Sequence, residues 1–452
     1  MKHKALRILS LLGAWAVIAV LVLGGSAPTA LASGRTYFVS LLGSDSNPGT
    51  QWRPFRTIQK CANVAMAGDT CAIGPGIYTE TVTPHSGVTF QPAGNAPVVI
   101  SGADPIVGWR PHSGNIYKAT VTLNPSLAAN QIFVGDTMAT EARWPNTGPD
   151  LLQPAWATIG NGSTASSIRD PRLPAIDWTG ATVHLWSGEN PFGHLTAQVT
   201  SSTQGTITFP ASSYCDTICS RAGGKYYLFG KLAALDTANE WFYDAATRTL
   251  YLWAPGGKNP NWLLVSAKQR DYAFDLRGVS NVTIRGLQLF ASTIVTDEGS
   301  ANHTIDSISA KYLSHFTILG DNFKTNAADS GIILKGTGHT VRNSTLQYSA
   351  GSGVALSGSG HIIANNLIRD TGYAGAYGTA IYTAPGAGSV TITNNTIIST
   401  GRDGISIDWD SSRKTFANSE IAFNRVTDYG RLTTDVGGIY ACCELNGDVG
   451  GQ

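Results

Sequence analysis

Charge is scarce in this chain. Lys, Arg, Asp and Glu together make up 13% of 452 residues, and the net charge is only +1 at pH 7. Without a basic excess, nothing electrostatic points to nucleic acid as a partner. Cysteine is scarce too, with six in all, and no Cys pair has a His nearby in zinc-ligand spacing. The second half lacks a helical pattern, and it lacks the Leu pattern that a leucine-rich repeat needs. What is plentiful is Gly, at 51 residues, with much Thr, Ser and Asn. That mixture favours β-structure with frequent tight turns.

The first residues are set apart from the fold. Lys2, Lys4 and Arg7 precede an apolar run from Ile8 to Leu23, and Ala30-Leu31-Ala32 fits a small-x-small cleavage site. The run is short for a bilayer span, which needs about 20 residues. Residues 1–32 are therefore expected to be a secretory signal, which makes the mature protein secreted, without a membrane anchor. In an exported chain the six cysteines can form disulfides. Cys61 with Cys71 is the first candidate pair, since the two bracket one helix-to-strand corner. Cys215 and Cys219 would close a very small loop. Cys442 and Cys443 are adjacent, and form a vicinal disulfide or pair with cysteines beyond this sequence.

The second half repeats. VTIRGLQL, FTILGDNF, HTVRNSTLQ, HIIANNLI, VTITNNTII and EIAFNRVTD align on Ile284, Ile318, Val341, Ile363, Ile392 and Ile421. A second run follows within most repeats: GIILKG, GVALSG, AIYTA, GISIDWD and GIYACC. Short strands at a period of 20 to 30 residues predict a β-solenoid. One coil cannot bury its inward Ile and Val alone, whereas stacked coils about 4.8 Å apart share one column of core. The Asn pairs at 365–366 and 394–395 fall at equivalent places and predict stacked turn asparagines. Asn-x-Thr/Ser occurs at Asn161, Asn281, Asn302, Asn343 and Asn394, and most of these have the same turn reading. His339 and His361 are one coil apart and are expected to stack at a turn.

Two further segments complete the outline. Residues 33–104 are expected to hold the first coils and a cap, with Phe55, Ile58, Cys61, Ala62 and Ala65 in helical spacing. Residues 105–265 break the rhythm and hold eight of the eleven Trp. Strands such as QIFVGD, ATVHLW, YYLFG and the pair EWFYDAATRTLYLWA have hairpin-like spacing, which predicts an inserted antiparallel sandwich. Residues 266–452 carry the remaining coils. No closing strand or capping helix follows Tyr440, so the solenoid is expected to continue beyond Gln452.

The opening YFVSLLGSDSNPGT…PFRTIQKCANVAMAGDTCAIGPGIYTE resembles the N-terminal cap of secreted right-handed parallel β-helix proteins of the pectate-lyase-like superfamily. A β-helix interrupted by a β-sandwich is similar to certain glycoside hydrolases acting on plant-wall sugars, xylosidase-like and fucosidase-like members among them. QIFVGDTMATEARWPN resembles the start of their inserted region. The resemblance implies an all-β fold, a right-handed parallel β-helix with an inserted β-sandwich. It implies a carbohydrate-active protein that cleaves polysaccharide or oligosaccharide, expected to act as a monomer. β-Helices also host lyases, transferases and adhesins, so the site must decide the activity.

Hydrolysis of a sugar bond usually needs two carboxylates. Equivalent places on adjacent coils are about 4.8 Å apart, near the retaining separation of roughly 5–5.5 Å. The last two coils hold the densest acids and offer two layers. Asp403 with Asp435 precedes the matching strands, and Asp408 and Asp410 with Glu444 follow them. Either layer suits a catalytic pair. Trp409, Tyr377, Tyr382 and Tyr440 could stack on sugar rings, while Arg402 and Arg425 could bind acidic sugars or neutralise the acids. No cofactor or metal is expected for hydrolysis. A polysaccharide lyase is the alternative enzyme, with Asp408 and Asp410 supplying oxygens to Ca²⁺ and Arg413 or Lys414 as base. A non-catalytic glycan-binding solenoid is the remaining reading.

Overall fold

The computed structural model describes residues 34–124, 131–186, 194–211, 222–315, 330–408, 416 and 418–441. The described residues all belong to one compact unit. Among the described residues, α-helix is confined to Ile58–Val64, and almost everything else regular is strand. Thr57 caps that helix by accepting from the Lys60 N–H, and Ile58, Cys61 and Ala62 are buried beneath it. A disulfide joins Cys61 to Cys71 at the corner where the helix meets the first coil, with the two Cα atoms 6.1 Å apart. Cys215, Cys219, Cys442 and Cys443 lie outside the described residues.

Among the described residues, the coils run through three parallel sheets of nine, eight and seven strands. Each late coil places one strand in each sheet, as in Thr340–Arg342, Thr345–Ser349 and Val354–Leu356. In the first sheet Ile284, Ile305, Val341, Ile363, Ile392 and Ile421 stand in register. The coil after Ile284 is therefore anchored by Ile305, where the sequence alone favoured Ile318. Ile305 sits in the mostly polar stretch HTIDSISA, while Ile318 lies outside the described residues. The first five of these side chains are fully buried in one continuous core. An Ile→Ala change at such a site costs roughly 2–5 kcal/mol.

From Ile284 onward, each described coil bends from the first sheet to the second through one residue in the left-handed region. In the last four coils these are Asn343, Asn365, Asn394 and Phe423, with φ between 55° and 58°. Asn tolerates this conformation better than most residues because its side chain bonds locally. The asparagines behind them form a ladder. The side-chain NH₂ groups of Asn366, Asn395 and Asn424 donate to the Val341, Ile363 and Ile392 carbonyls at 3.0, 2.8 and 2.7 Å. The bonds satisfy carboxamides that the coils take out of water, and they repeat from coil to coil along the solenoid axis.

Three histidines form a second ladder. His303, His339 and His361 are fully buried and stack nearly parallel, with centroids 4.9 and 5.1 Å apart. His339 Nε2 donates to the Lys335 carbonyl and His361 Nε2 to the Ser357 carbonyl. Each ring therefore keeps Nδ1 bare, and the Nδ1 atoms accept from the His303 and His339 N–H groups. Burial pushes His303 and His339 down to about 4, and lowers His361 as well. The unfolded chain takes up protons below about 6.5, the folded one only near 4. The ladder's stability is thus complete above pH 6.5 and is lost as pH falls towards 4. The difference in melting temperature between wild type and His339→Gln is expected to shrink steadily from pH 7 to 4.5. A constant difference would contradict the neutral ladder.

The inserted region leaves the solenoid after Val98–Ser101. Ala103–Pro105 pairs antiparallel with Val265–Lys268, which closes the insert. Between them, Glu240–Asp244, Thr249–Trp253, Ile116–Thr120 and Arg110–Ser113 build one antiparallel run. Lys225–Phe229, Thr182–Trp186 and His194–Gln198 build another. Alternation along these strands sends Tyr226, Leu228, Val183 and Leu185 into a separate apolar core. Tyr227, His184 and His194 point the other way. The insert also packs on the solenoid: Phe133 lies 4.7 Å from Phe290 and 5.1 Å from Tyr312, ring to ring.

Candidate active site

The seven-stranded third sheet presents one outward column in its last coils. Tyr382, Ser406 and Tyr440 occupy it in register. Strand alternation puts their neighbours Ile381, Thr383, Ile405 and Ile407 inward. The turns that feed these strands carry Tyr377, Arg402, Asp403 and Asp435.

Arg402 is the centre of this cluster and is fully buried. Its Nε donates to Asp403 Oδ2 at 3.2 Å, and its Nη2 lies 3.9 Å from Asp435 Oδ2. Its guanidinium carbon stands 4.0 Å from the Tyr377 ring centre and 5.5 Å from that of Tyr440. A guanidinium in such an aromatic frame is held by both charge and ring quadrupole. Asp403 is 1% exposed, and its other oxygen accepts from the Gly437 N–H at 3.0 Å. Burial pushes the Asp403 carboxyl up to about 6, although Arg402 and the Gly437 N–H pull the other way. Desolvation of a carboxylate outweighs two favourable contacts here.

Asp435 shares Arg402 with Asp403 and differs in its exposure. Its side chain is 60% exposed, its φ is 61°, and it accepts a hydrogen bond from the Tyr440 hydroxyl at 3.0 Å. The cluster thus pairs a dry carboxyl of raised pKa with a solvated one fixed by a phenol. Burial first, and then Asp435, raise the Tyr440 phenol. On the same sheet the Tyr382 hydroxyl donates to Asp408 Oδ2 at 2.5 Å. Burial, followed by that bond, raises the Tyr382 phenol.

The register corrects one expectation. Ile405 opposes Ile439, so Asp403 stands opposite Gly437, while Asp435 is two residues earlier on its coil. The two acids are not at equivalent places, and Arg402 spans the offset. Arg425 is placed elsewhere, exposed at the start of a second-sheet strand opposite Thr396. Trp409, Asp410 and Glu444 lie outside the described residues, as do Arg413 and Lys414. Among the described residues no three His, Cys, Asp or Glu side chains converge as a metal site. Nor is any described helix long and apolar enough to cross a membrane.

The insert meets the same turns, through residues that carry no local signal. Arg431 pairs with Asp150 at 3.1 Å, and Leu152 packs with Tyr373, Ala374 and Leu432. His194 Nε2 donates to the Leu432 carbonyl at 3.0 Å, bridging 238 residues of sequence. Trp156 and Trp186 pack against the His194 ring at 5.5 and 5.3 Å. Arg143, in the stretch ATEARWPN, lies 3.7 Å above the Tyr227 ring.

The comparisons agree with this architecture. Residues 306–446 match the model of the family described as "Right handed beta helix region". Residues 41–90 match a family described as "Protein of unknown function (DUF1565)". The uncharacterized protein YwoF of Bacillus subtilis (strain 168) is 45% identical over 76 residues, a match that spans 16% of this chain and 16% of YwoF. A solved structure titled "Glycoside hydrolase" superposes with a TM-score of 0.71 at 15% identity, over 90% of this chain and 85% of that one. The complex of XylC with xylose superposes at 0.50 and 16% identity, over 90% of this chain and 63% of XylC. At such identities the likeness is one of fold. The chain is a right-handed parallel β-helix protein with an inserted β-sandwich, and its fold resembles that of β-helix glycoside hydrolases.

Proposed function

We propose that this is an exported carbohydrate-active enzyme, a glycoside hydrolase whose reacting carboxylates are Asp403 and Asp435. The observation that carries the reading is the Asp403–Arg402–Asp435 cluster, in which a buried acid and an exposed one flank an arginine framed by Tyr377 and Tyr440. The fold shared with glycoside hydrolases supports it. Asp403 serves as proton donor, because a carboxyl held near 6 still carries its proton in mildly acidic solution. As the glycosidic C–O bond breaks, the Asp403 proton passes to the leaving oxygen. Asp435, exposed and steered by Tyr440, meets the other face of the sugar as a carboxylate. It either bonds to the anomeric carbon or takes a proton from the attacking water. Water supplies the hydroxyl of the new reducing end in both cases. Arg402 keeps the pair apart in charge, and Tyr377, Tyr382 and Tyr440 offer ring faces to the substrate.

Leaving-group dependence tests the donor role. An oligosaccharide needs its leaving oxygen protonated, and a dinitrophenyl glycoside does not. Asp403→Asn is expected to lose at least about 100-fold in kcat on the oligosaccharide and far less on the dinitrophenyl substrate. Wild type is expected to lose activity as pH rises past about 6, and Asp403→Asn is expected to lack that limb. An equal loss on both substrates would make Asp403 a residue that merely positions Arg402.

A further inference from the structure

Three adjacent strands of the inserted sheet carry a directional chain of side chains. The Tyr227 hydroxyl lies 2.9 Å from His184 Nδ1, and His184 Nε2 lies 2.8 Å from His194 Nδ1. His194 Nε2 lies 3.0 Å from the Leu432 carbonyl. A carbonyl only accepts, so His194 carries its proton on Nε2 and leaves Nδ1 bare. His184 must then donate from Nε2, which leaves its own Nδ1 to accept from Tyr227. One end of the chain fixes the tautomer of every ring along it. Both histidines are buried, and the Arg143 guanidinium above Tyr227 opposes any added positive charge.

The far end of the chain grips the turn that carries Asp435. The Leu432 N–H donates to the Gly401 carbonyl and the Gly430 N–H to the Arg402 carbonyl, at 3.0 and 2.8 Å. The segment 430–433 is thus held by the coil beneath it on one side and by His194 of the insert on the other. Asp435 follows three residues after Leu432.

We propose that Tyr227, His184 and His194 are positioning residues, a relay through which the insert fixes the Asp435 turn for the reaction. This rests on the reading of Asp435 as a reacting carboxylate. The relay does not touch substrate. It acts by denying the 430–435 segment alternative positions, and a displacement of about 1 Å in a reacting group can cost around 100-fold in rate.

Hydrogen exchange on the peptide spanning 429–438 tests the relay independently of activity. His194→Phe is expected to raise exchange there at least about tenfold, with kcat down roughly 10- to 100-fold and KM within about twofold. His194→Gln keeps an N–H donor and is expected to recover most of both. Tyr227→Phe keeps the ring and loses only the hydroxyl, and is expected to move both readouts the same way by less. Imidazole ¹⁵N shifts are expected to report the Nε2–H tautomer for His184 and His194. Unchanged exchange in His194→Phe, an Nδ1–H tautomer at either ring, or faster exchange with unaltered kcat would overturn the relay. If wild type cleaves no glycoside, the proposed function falls, while the exchange and tautomer readings still decide the relay.

Discussion

Gly375→Ala is expected to destabilise the protein by about 2–4 kcal/mol. Gly375 has φ of 74°, where an L side chain is strained. An added Cβ would also stand 2.1 Å from His194 Nδ1 and 2.3 Å from His194 Cε1. The ring cannot retreat, because Trp156 and Trp186 pack against it and Leu432 holds its Nε2. The clash and the strain are separable. In the double variant Gly375→Ala/His194→Ala the collision is gone, so part of the loss is expected to return relative to Gly375→Ala. Denaturant titration of the four proteins of this cycle measures the coupling. If Gly375→Ala is as stable as wild type, the insert does not approach the coil turn as closely as described.

Asp435→Asn is expected to reduce kcat at least about 100-fold while leaving glycan binding within a few-fold, since asparagine keeps the shape and removes the charge. Tyr440 still has an amide oxygen to donate to, so the turn keeps its form. The loss is then a loss of carboxylate chemistry. The anomeric configuration of the first product of the wild type, read by ¹H NMR, distinguishes the two mechanisms: it is retained where the carboxylate bonds to the sugar and inverted where water attacks directly. Full activity in Asp435→Asn would remove this residue from the chemistry, and with it the relay's reason for holding the turn.

The column of the solenoid was legible because its physics is local. Inward Ile or Val alternates with outward polar residues, and the Asn turns repeat with it. Ile305 escaped notice because its neighbours in HTIDSISA are small and polar, while FTILGDNF offered a stronger apolar run. The acids of the candidate site were legible as a cluster and not as a register. One residue separates Asp403 from Ile405, whereas three separate Asp435 from Ile439. That two-residue difference sets the acids out of step along the coils, and it makes room for Arg402 between them. The role of Arg402 as a bridge could not be read from sequence, where a cation near acids has many uses. The relay was invisible for a different reason. His184, His194 and Tyr227 meet by antiparallel pairing inside the insert, and His194 finds Leu432 across 238 positions. Gly375 carries no mark that distinguishes it from the other 50 glycines, because its need arises from a histidine far away in the chain.

Product analysis of the full-length protein on a panel of plant and microbial polysaccharides tests the central claim most directly. Reducing ends and the ultraviolet absorbance of unsaturated uronates are followed together, with Asp435→Asn as control. New reducing ends without that absorbance, lost in the control, are the predicted result. Absorbance that disappears with a chelator would contradict it in favour of a Ca²⁺-dependent lyase, and glycan binding without either signal would leave a solenoid that binds sugar and does not cleave it.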